Sequence, residues 1–281
     1  MTIQEFKKVF LEQAASMQDA QLATEVLLVF VLQISKEALF LHPEMEISAS
    51  KQQTLYGLME RYLKGEPVAY LIGNKEFYGL DFFVDSRVLI PRPESEILVD
   101  KVIDFASKSS NAKSIVDIGT GSGCLAISMA FKLPDLQVTG VDISSDALDV
   151  ARLNASKHGV FNRCKFFQSN LLSMVEAPHD VVVANLPYIG ETKYHFVSRE
   201  AQEYEPNVAL FGGSDGLELY RILFRQILEK PWKPQLLLGE FGFMQGEDMQ
   251  KLLEANFQGH DISIIKDYAS IPRVFVVAFR Q

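Results

Sequence analysis

Residues 185–188 read Asn-Leu-Pro-Tyr and follow directly on the apolar run DVVVA. The side-chain carbonyl of Asn185 and the backbone carbonyl of Leu186 are two hydrogen-bond acceptors carried close together. Pro187 biases Leu186 towards extended backbone and removes an N–H that would compete locally. Tyr188 adds a flat π face. The set suits a planar –NH₂ group, one hydrogen on each acceptor and the ring packed on its plane. The nitrogen lone pair of an amide is delocalised, which is why a peptide bond has a rotational barrier of ~18–20 kcal/mol. Fixing both hydrogens aims that nitrogen and favours positive charge developing on it. Asn185, Pro187 and Tyr188 are therefore the candidate catalytic residues, and Leu186 joins them in binding substrate. An ordinary Asn-x-Pro turn would explain the tetrapeptide if it stood alone.

It does not stand alone. VDIGTGSGCLAISMA, from Val116, has the layout of a strand, a glycine-rich turn and a helix. Gly119, Gly121 and Gly123 let backbone approach a ligand, and a helix start presents free N–H groups. The spacing is neither the G-x-G-x-x-G of dinucleotide enzymes nor a phosphate loop with its Lys-Ser/Thr pair. Asp117 precedes the loop. Asp142 ends the next strand-like run, where a carboxylate can accept from both hydroxyls of a ribose; its structural alternative is a helix N-cap, a role open to Ser144 or Ser145. The candidate cofactor-binding residues are Asp117, Gly119, Thr120, Gly121, Ser122, Gly123 and Asp142. An acidic rim favours a cationic nucleoside over a phosphate, and S-adenosyl-L-methionine is the expected cofactor, leaving as S-adenosyl-L-homocysteine.

These residues need a sheet to bring them together. From Lys113 strand-like and helix-like runs alternate: SIVDIG, QVTGVDI, CKFFQ, DVVVAN and QLLLGEF are near-continuous apolar strands. That pattern predicts a doubly wound, mainly parallel α/β sheet covered on both faces. DISIIKDY and RVFVVAF are too close for a helical crossover and are expected to pair antiparallel. Before this, EFYGLDFFV predicts a strand-turn-strand, and Pro91 and Pro93 force extended backbone ahead of a helix from about Glu94. The first seventy or so residues read as a small helical bundle. Thr2 and Glu5 form a capping box, Asp19 is expected to cap a helix bearing Leu22, Val26, Val29 and Phe30 on one face, and Ser35 to start a third. A fourth from Ser48 carries Leu55, Leu58, Met59, Tyr62 and Leu63, and stops at Gly65 and Pro67. The expected domains are a helical bundle over 1–73, a hairpin linker over 74–90 and a nucleotide-binding domain over 91–281.

Composition narrows the class. At 281 residues the chain is long enough for two domains. Its net charge is −9 without a basic cluster, which counts against nucleic-acid binding. The longest apolar stretch, EVLLVFVLQI, is too short to span a bilayer. Neither the N-terminus nor the two cysteines, Cys124 and Cys164, suggest secretion, and the scattered histidines show no metal-ligand spacing. The expectation is a cytoplasmic, metal-free protein.

The stretches GEPVAYLIG, LIPRPESE, DIGTGSG, NLPYI, YEPNVALFGGSDGLELYR and IPRV run through almost the whole chain. Together they resemble the HemK/PrmC family, protein-(glutamine-N5) methyltransferases of peptide-chain release factors. The resemblance implies a seven-stranded class I methyltransferase fold with an antiparallel last strand, behind a helical substrate-recognition domain joined by a β-hairpin. It implies methyl transfer to the glutamine of the Gly-Gly-Gln motif in class I release factors. Charge and hydropathy add the expectation of no direct nucleic-acid or membrane partner, and the capped bundle with its acidic surface that of a monomer. Carried over, Gly119 to Gly123 would hold the methionine part of the cofactor, Asp142 the ribose, and Asn170 and Leu171 would flank the adenine. Asn185 would touch both cofactor and substrate. The family usually has Asp at position 170 and Pro at 186, so Asn170 trades away a charge and Leu186 a ring. Glu94 and Glu96 are further candidates to line the site. Two rival readings fit the same residues: a nucleic-acid amino-methyltransferase, whose bases would fit the same clamp, and a catalytically silent cofactor-binding regulator.

Overall fold

A computed structural model describes residues 1–109 and 112–280. The chain divides into two compact units, Met1–Asn74 and Lys75–Gln281. The first holds helices α1 (Ile3–Gln13), α2 (Ala20–Leu32), α3 (Lys36–Leu41), α4 (Ala49–Leu63) and α5 (Val68–Ile72). The capping box forms: Glu5 N–H donates to Thr2 Oγ1 and Thr2 N–H to a Glu5 carboxylate oxygen. Ser35 caps α3 through the Ala38 N–H.

Asp19 departs from expectation. It precedes α2 but its side chain caps nothing, because its backbone is not extended; its carboxylate instead accepts from the Tyr62 hydroxyl at 2.6 Å. The buried face of α2 also differs. Ala20, Ala23, Thr24, Leu27, Leu28 and Leu32 are buried, whereas Leu22 and Phe30 are exposed. A helix that is apolar almost all round carries no periodicity with which to choose a face, and the choice falls to packing against the neighbouring helices. α5 follows where the sequence predicts only a helix stop; it lies between Gly65 and Gly73, both at positive φ.

The second unit starts with a hairpin, β1 (Lys75–Phe77) and β2 (Leu80–Phe82), whose turn residues Tyr78 and Gly79 have φ of 55° and 76°. Two positive φ values suit the right-handed twist of a tight hairpin. Phe77 and Phe82 are buried in the core of this unit, so the hairpin belongs to it and is not a spacer. The chain then runs through α6 (Glu96–Lys108), β3 (Ser114–Ile118), α7 (Cys124–Lys132), β4 (Gln137–Asp142), α8 (Ser145–Lys157), β5 (Cys164–Gln168) and β6 (Val181–Ala184). It continues with α9 (Arg199–Tyr204), α10 (Asn207–Leu210), α11 (Glu218–Glu229), β7 (Leu236–Glu240), α12 (Gly246–Asn256), β8 (Asp261–Lys266) and β9 (Pro272–Ala278).

Seven strands form one sheet in the order β5-β4-β3-β6-β7-β9-β8. β9 alone runs against its neighbours, pairing antiparallel with both β7 and β8. Along β6, Val181 and Val183 enter one core while Val182 and Ala184 enter the other. Burial on both faces is why these strands are apolar without alternation. The order reverses at β3, which pairs parallel with β4 on one side and β6 on the other. At such a switch point the loops leave in opposite directions and open a crevice at the carboxyl ends of the strands. Ile118 pairs with Ala184, so the glycine turn and Asn185 leave the sheet side by side, with Asp142 one strand over.

Candidate active site

A cavity of about 230 Å³ opens at this switch point. Gly119, Gly121, Asp142, Asn170, Leu171, Asn185, Leu186 and Pro187 line it, together with Arg87, Val208 and Phe211 among others. Asp142 accepts from the Gly121 N–H with one oxygen and from the Ser144 N–H with the other, both at 2.9 Å. A carboxylate has about four lone-pair sites, so lone pairs remain for a diol. Burial pushes its carboxyl above the usual range, opposed by these backbone donors. Ser144 provides the N-cap of α8, leaving Asp142 without that duty. Arg87 is held by Asp85 through paired hydrogen bonds, so the wall offers a phosphate little free positive charge. Gly119 and Gly121, at φ of 72° and 54°, keep the floor clear of side chains. The lining thus fits an uncharged ribose and purine.

Asp117, Thr120, Ser122 and Gly123 do not line this cavity. They build the turn from behind. Asp117 is fully buried, accepts from Thr120 Oγ1 at 2.7 Å, and leaves Oδ1 without a partner. Burial pushes its carboxyl up to about 7. Asn154 Nδ2 holds the Ser122 carbonyl, and a Cβ on Gly123 would lie 2.8 Å from Ile127 and 3.2 Å from Ala151. Gly123 is therefore spent on packing α7 against α8. Leu171 takes φ of 53°, an uncommon conformation for its type, with its carbonyl fixed by Ser169 Oγ.

A second cavity of about 180 Å³ is lined by Arg92, Tyr188, Ile189, Phe196, Ser198 and Leu210 among others. It shares Leu89, Asn185, Leu186 and Ala209 with the first. Asn185 and Leu186 thus form a common wall between two spaces. Pro187 lines only the first and Tyr188 only the second. Asn185 Nδ2 donates to Ser95 Oγ at 2.8 Å and to Glu240 Oε2 at 3.2 Å, while Tyr188 donates its hydroxyl to Glu240 Oε1 at 3.1 Å. Ser95 Oγ donates to Glu240 Oε2 at 2.5 Å. Burial pushes the Glu240 carboxyl up, against the pull of Ser95, Tyr188 and Arg273. Burial and this carboxylate also push the Tyr188 phenol well up, so it stays protonated. Among the described residues no donor reaches Asn185 Oδ1 or the Leu186 carbonyl.

The backbone beyond is pinned. Gln245 Nε2 donates to the Tyr188 carbonyl at 2.7 Å, and a Cβ on Gly212 would lie 2.1 Å from the Pro187 carbonyl oxygen. Carbonyl 188 is thereby engaged by the scaffold and carbonyl 187 is packed closely against Gly212, which fixes the direction in which carbonyl 186 points.

Residues 5–73 match the PrmC N-terminal domain family and residues 94–201 the methyltransferase small domain family. A release factor glutamine methyltransferase of Koribacter versatilis is 36% identical over 268 residues, covering 94% of this chain and 93% of the relative. One from Chlorobaculum tepidum is 36% identical over 264 residues, covering 91% and 89%. The chain belongs to the release factor glutamine methyltransferase family. Among solved structures, the N-terminal domain of human METTL16 in complex with SAH shares the fold, with a TM-score of 0.51 at 16% identity, over 73% of this chain and 77% of that one.

Several residues of this family member's site escaped the sequence reading. Ser95 lies in LIPRPESE and Glu240 in QLLLGEF, where no local motif marks either; the signal for Glu240 is that β7, like β3, β4 and β6, delivers a polar group at its carboxyl end. Glu205 is buried and accepts from the Ile90 N–H at 3.0 Å and from the Arg92 guanidinium, tethering the segment that brings Leu89 and Arg92 to the cavities. Glu96 does not line either cavity. Its carboxylate accepts from the Tyr78 N–H at 2.9 Å and so fastens the hairpin turn, while Glu94 is exposed.

Proposed function

We propose that the chain transfers a methyl group from S-adenosyl-L-methionine to the side-chain amide nitrogen of the glutamine in the Gly-Gly-Gln motif of class I peptide-chain release factors. The observation that carries this reading is the pair of unengaged acceptors, Asn185 Oδ1 and the Leu186 carbonyl, on the wall between a nucleoside-sized cavity and a smaller one. The names of relatives that match nearly end to end support the substrate. The reading carries with it a cytoplasmic monomer that does not bind nucleic acid directly; no described helix is long and apolar enough to cross a membrane.

The cofactor, when bound, supplies an electrophilic methyl group on positively charged sulfur. Gly119, Gly121, Asp142, Asn170 and Leu171 would hold it, with Asn185 at the shared wall. Asn185 Oδ1 and the Leu186 carbonyl accept the two amide hydrogens of the glutamine, which fixes the nitrogen's orientation and stabilises the positive charge it gains. Tyr188 closes the second cavity beside the carboxamide. No carboxylate or imidazole lines that cavity among the described residues. Transfer therefore relies on no resident base, and the alkylated amide is acidic enough to release its proton to water.

Incubating the protein with a release factor and labelled cofactor, then mapping the labelled peptide, tests the reading. Label on the Gly-Gly-Gln glutamine is expected; label elsewhere, or none, overturns it. In the same assay Asn185→Ala should lower turnover by about 10²–10³-fold while leaving cofactor affinity nearly intact. Unchanged turnover would remove the acceptor pair from the mechanism.

A further inference from the structure

We propose that Glu240, acting directly and through Ser95, fixes which end of the Asn185 carboxamide faces the second cavity, and so makes the site select a carboxamide side chain over a carboxylate. The inference rests on the proposed function and concerns how its substrate is chosen. Gln and Glu side chains have the same shape; they differ in that one presents an –NH₂ and the other only acceptors. Discrimination must therefore come from which polar atoms the wall presents.

Asn185 by itself does not decide this, because a carboxamide turned by half a rotation offers donors where it offered an acceptor. Its surroundings decide. Three donors converge on the buried Glu240 carboxylate: the Ser95 hydroxyl, the Tyr188 hydroxyl and Asn185 Nδ2. Ionised, Glu240 can only accept. Ser95 has committed its one proton to Glu240, so towards Asn185 its oxygen can only accept as well. Both atoms within reach of the inner end of Asn185 are thus obligate acceptors, at 2.8 and 3.2 Å. Turning the amide would set Oδ1 against both, an acceptor facing two acceptors, and forfeit both bonds. Oδ1 is therefore held outward with the Leu186 carbonyl, so the wall these two residues share presents only acceptors, while the Arg92 guanidinium elsewhere in the second cavity is paired with Glu205. A glutamate would bring acceptors against acceptors, a rejection by unpaired buried groups that is far steeper than any based on shape. Glu240 touches neither cavity, so it is a positioning residue.

The test compares binding of two release-factor peptides that differ only in Gln or Glu at the target position, to the enzyme holding S-adenosyl-L-homocysteine. The wild type should bind the Gln peptide at least about 10²-fold more tightly. In Glu240→Gln, which keeps volume but can donate as well as accept, that ratio should fall at least about tenfold, with cofactor affinity unchanged. Glu240→Ala, which admits a water able to do both, should shift the ratio the same way. A folded variant that keeps the wild-type ratio overturns the proposal, as does a wild type that binds both peptides alike. Should neither variant fold, hydrogen exchange of the Asn185 side-chain amide in the wild type decides. Exchange at least about tenfold slower than at the exposed Asn162 is expected because both hydrogens are bonded inward; exchange at the Asn162 rate overturns it. Absence of methyl transfer by the wild type would strike the proposed function and leave this orientation measurable.

Discussion

Tyr188 combines two separable properties, a ring that walls the second cavity and a hydroxyl bonded to Glu240. Tyr188→Phe keeps the first and leaves Glu240 with one donor fewer. A hydrogen bond to a charged group contributes about 1.5–3 kcal/mol, of which only the part felt by the Asn185 orientation reaches the chemistry. Turnover should fall by about 3–10-fold, against at least about 10²-fold for Tyr188→Ala, in steady-state assays on the same substrate. Equal losses would mean that the ring contributes nothing. Asp117 makes a different prediction. Its carboxyl ionises near 3.8 in an unfolded chain and at about 7 in the folded one. Below about pH 4 both states are protonated and there is no penalty; as pH rises, the unfolded chain releases a proton that the folded protein keeps, so stability falls until about pH 7. At 1.36 kcal/mol per pKa unit the ceiling is about 4 kcal/mol. Asp117→Asn should flatten this part of the profile for the cofactor-free protein, measured by denaturant unfolding between pH 4.5 and 8. Parallel profiles for the two proteins would show that Asp117 is not the titrating group. At this scale the acceptor pair was legible because Asn185 and Leu186 are chain neighbours. Glu240 was not, because the sheet brings it from 55 residues away.

Elements explain why some glycines matter and others do not. A Cβ on Gly212 would sit 2.1 Å from the Pro187 carbonyl oxygen and 2.8 Å from that of Gly216, so an alanine there must displace the tetrapeptide itself. Gly79, in the hairpin turn, has nothing within 4 Å and only its φ of 76° to defend. Gly212→Ala should therefore lower both the melting temperature and turnover, the latter at least about tenfold, since misplacing reacting groups by an ångström costs as much as 10²-fold. Gly79→Ala should cost about 1–2 kcal/mol of stability and leave turnover alone. If both variants lose stability and neither loses activity, the loop around Gly212 does not hold the site. The strands were legible because two-sided burial writes itself as unbroken apolar runs such as VVVA at β6. The buried face of α2 was not, since a run of almost uniformly apolar residues has no direction until its neighbours are known.

At the scale of the whole molecule, every residue lining the two cavities lies within Lys75–Gln281. Each unit also has a core of its own: Ile3, Phe6, Phe10 and Leu27 in the first, and the two faces of the sheet in the second. The chemistry and the recognition of a folded substrate are therefore separable in principle. A chain beginning at Lys75 should bind S-adenosyl-L-homocysteine within a few-fold of the full protein, measured by calorimetry, because no cofactor-cavity residue has been removed. Its methylation of an intact release factor should fall at least tenfold (about 1.4 kcal/mol of lost transition-state binding). A short peptide carrying the target glutamine should be methylated by both forms at similar rates, since it reaches only the second cavity. That contrast distinguishes a docking role for Met1–Asn74 from a merely stabilising one, which would depress both substrates and the cofactor together. Equal loss on peptide and protein would mean that the helical unit supports the fold and selects nothing.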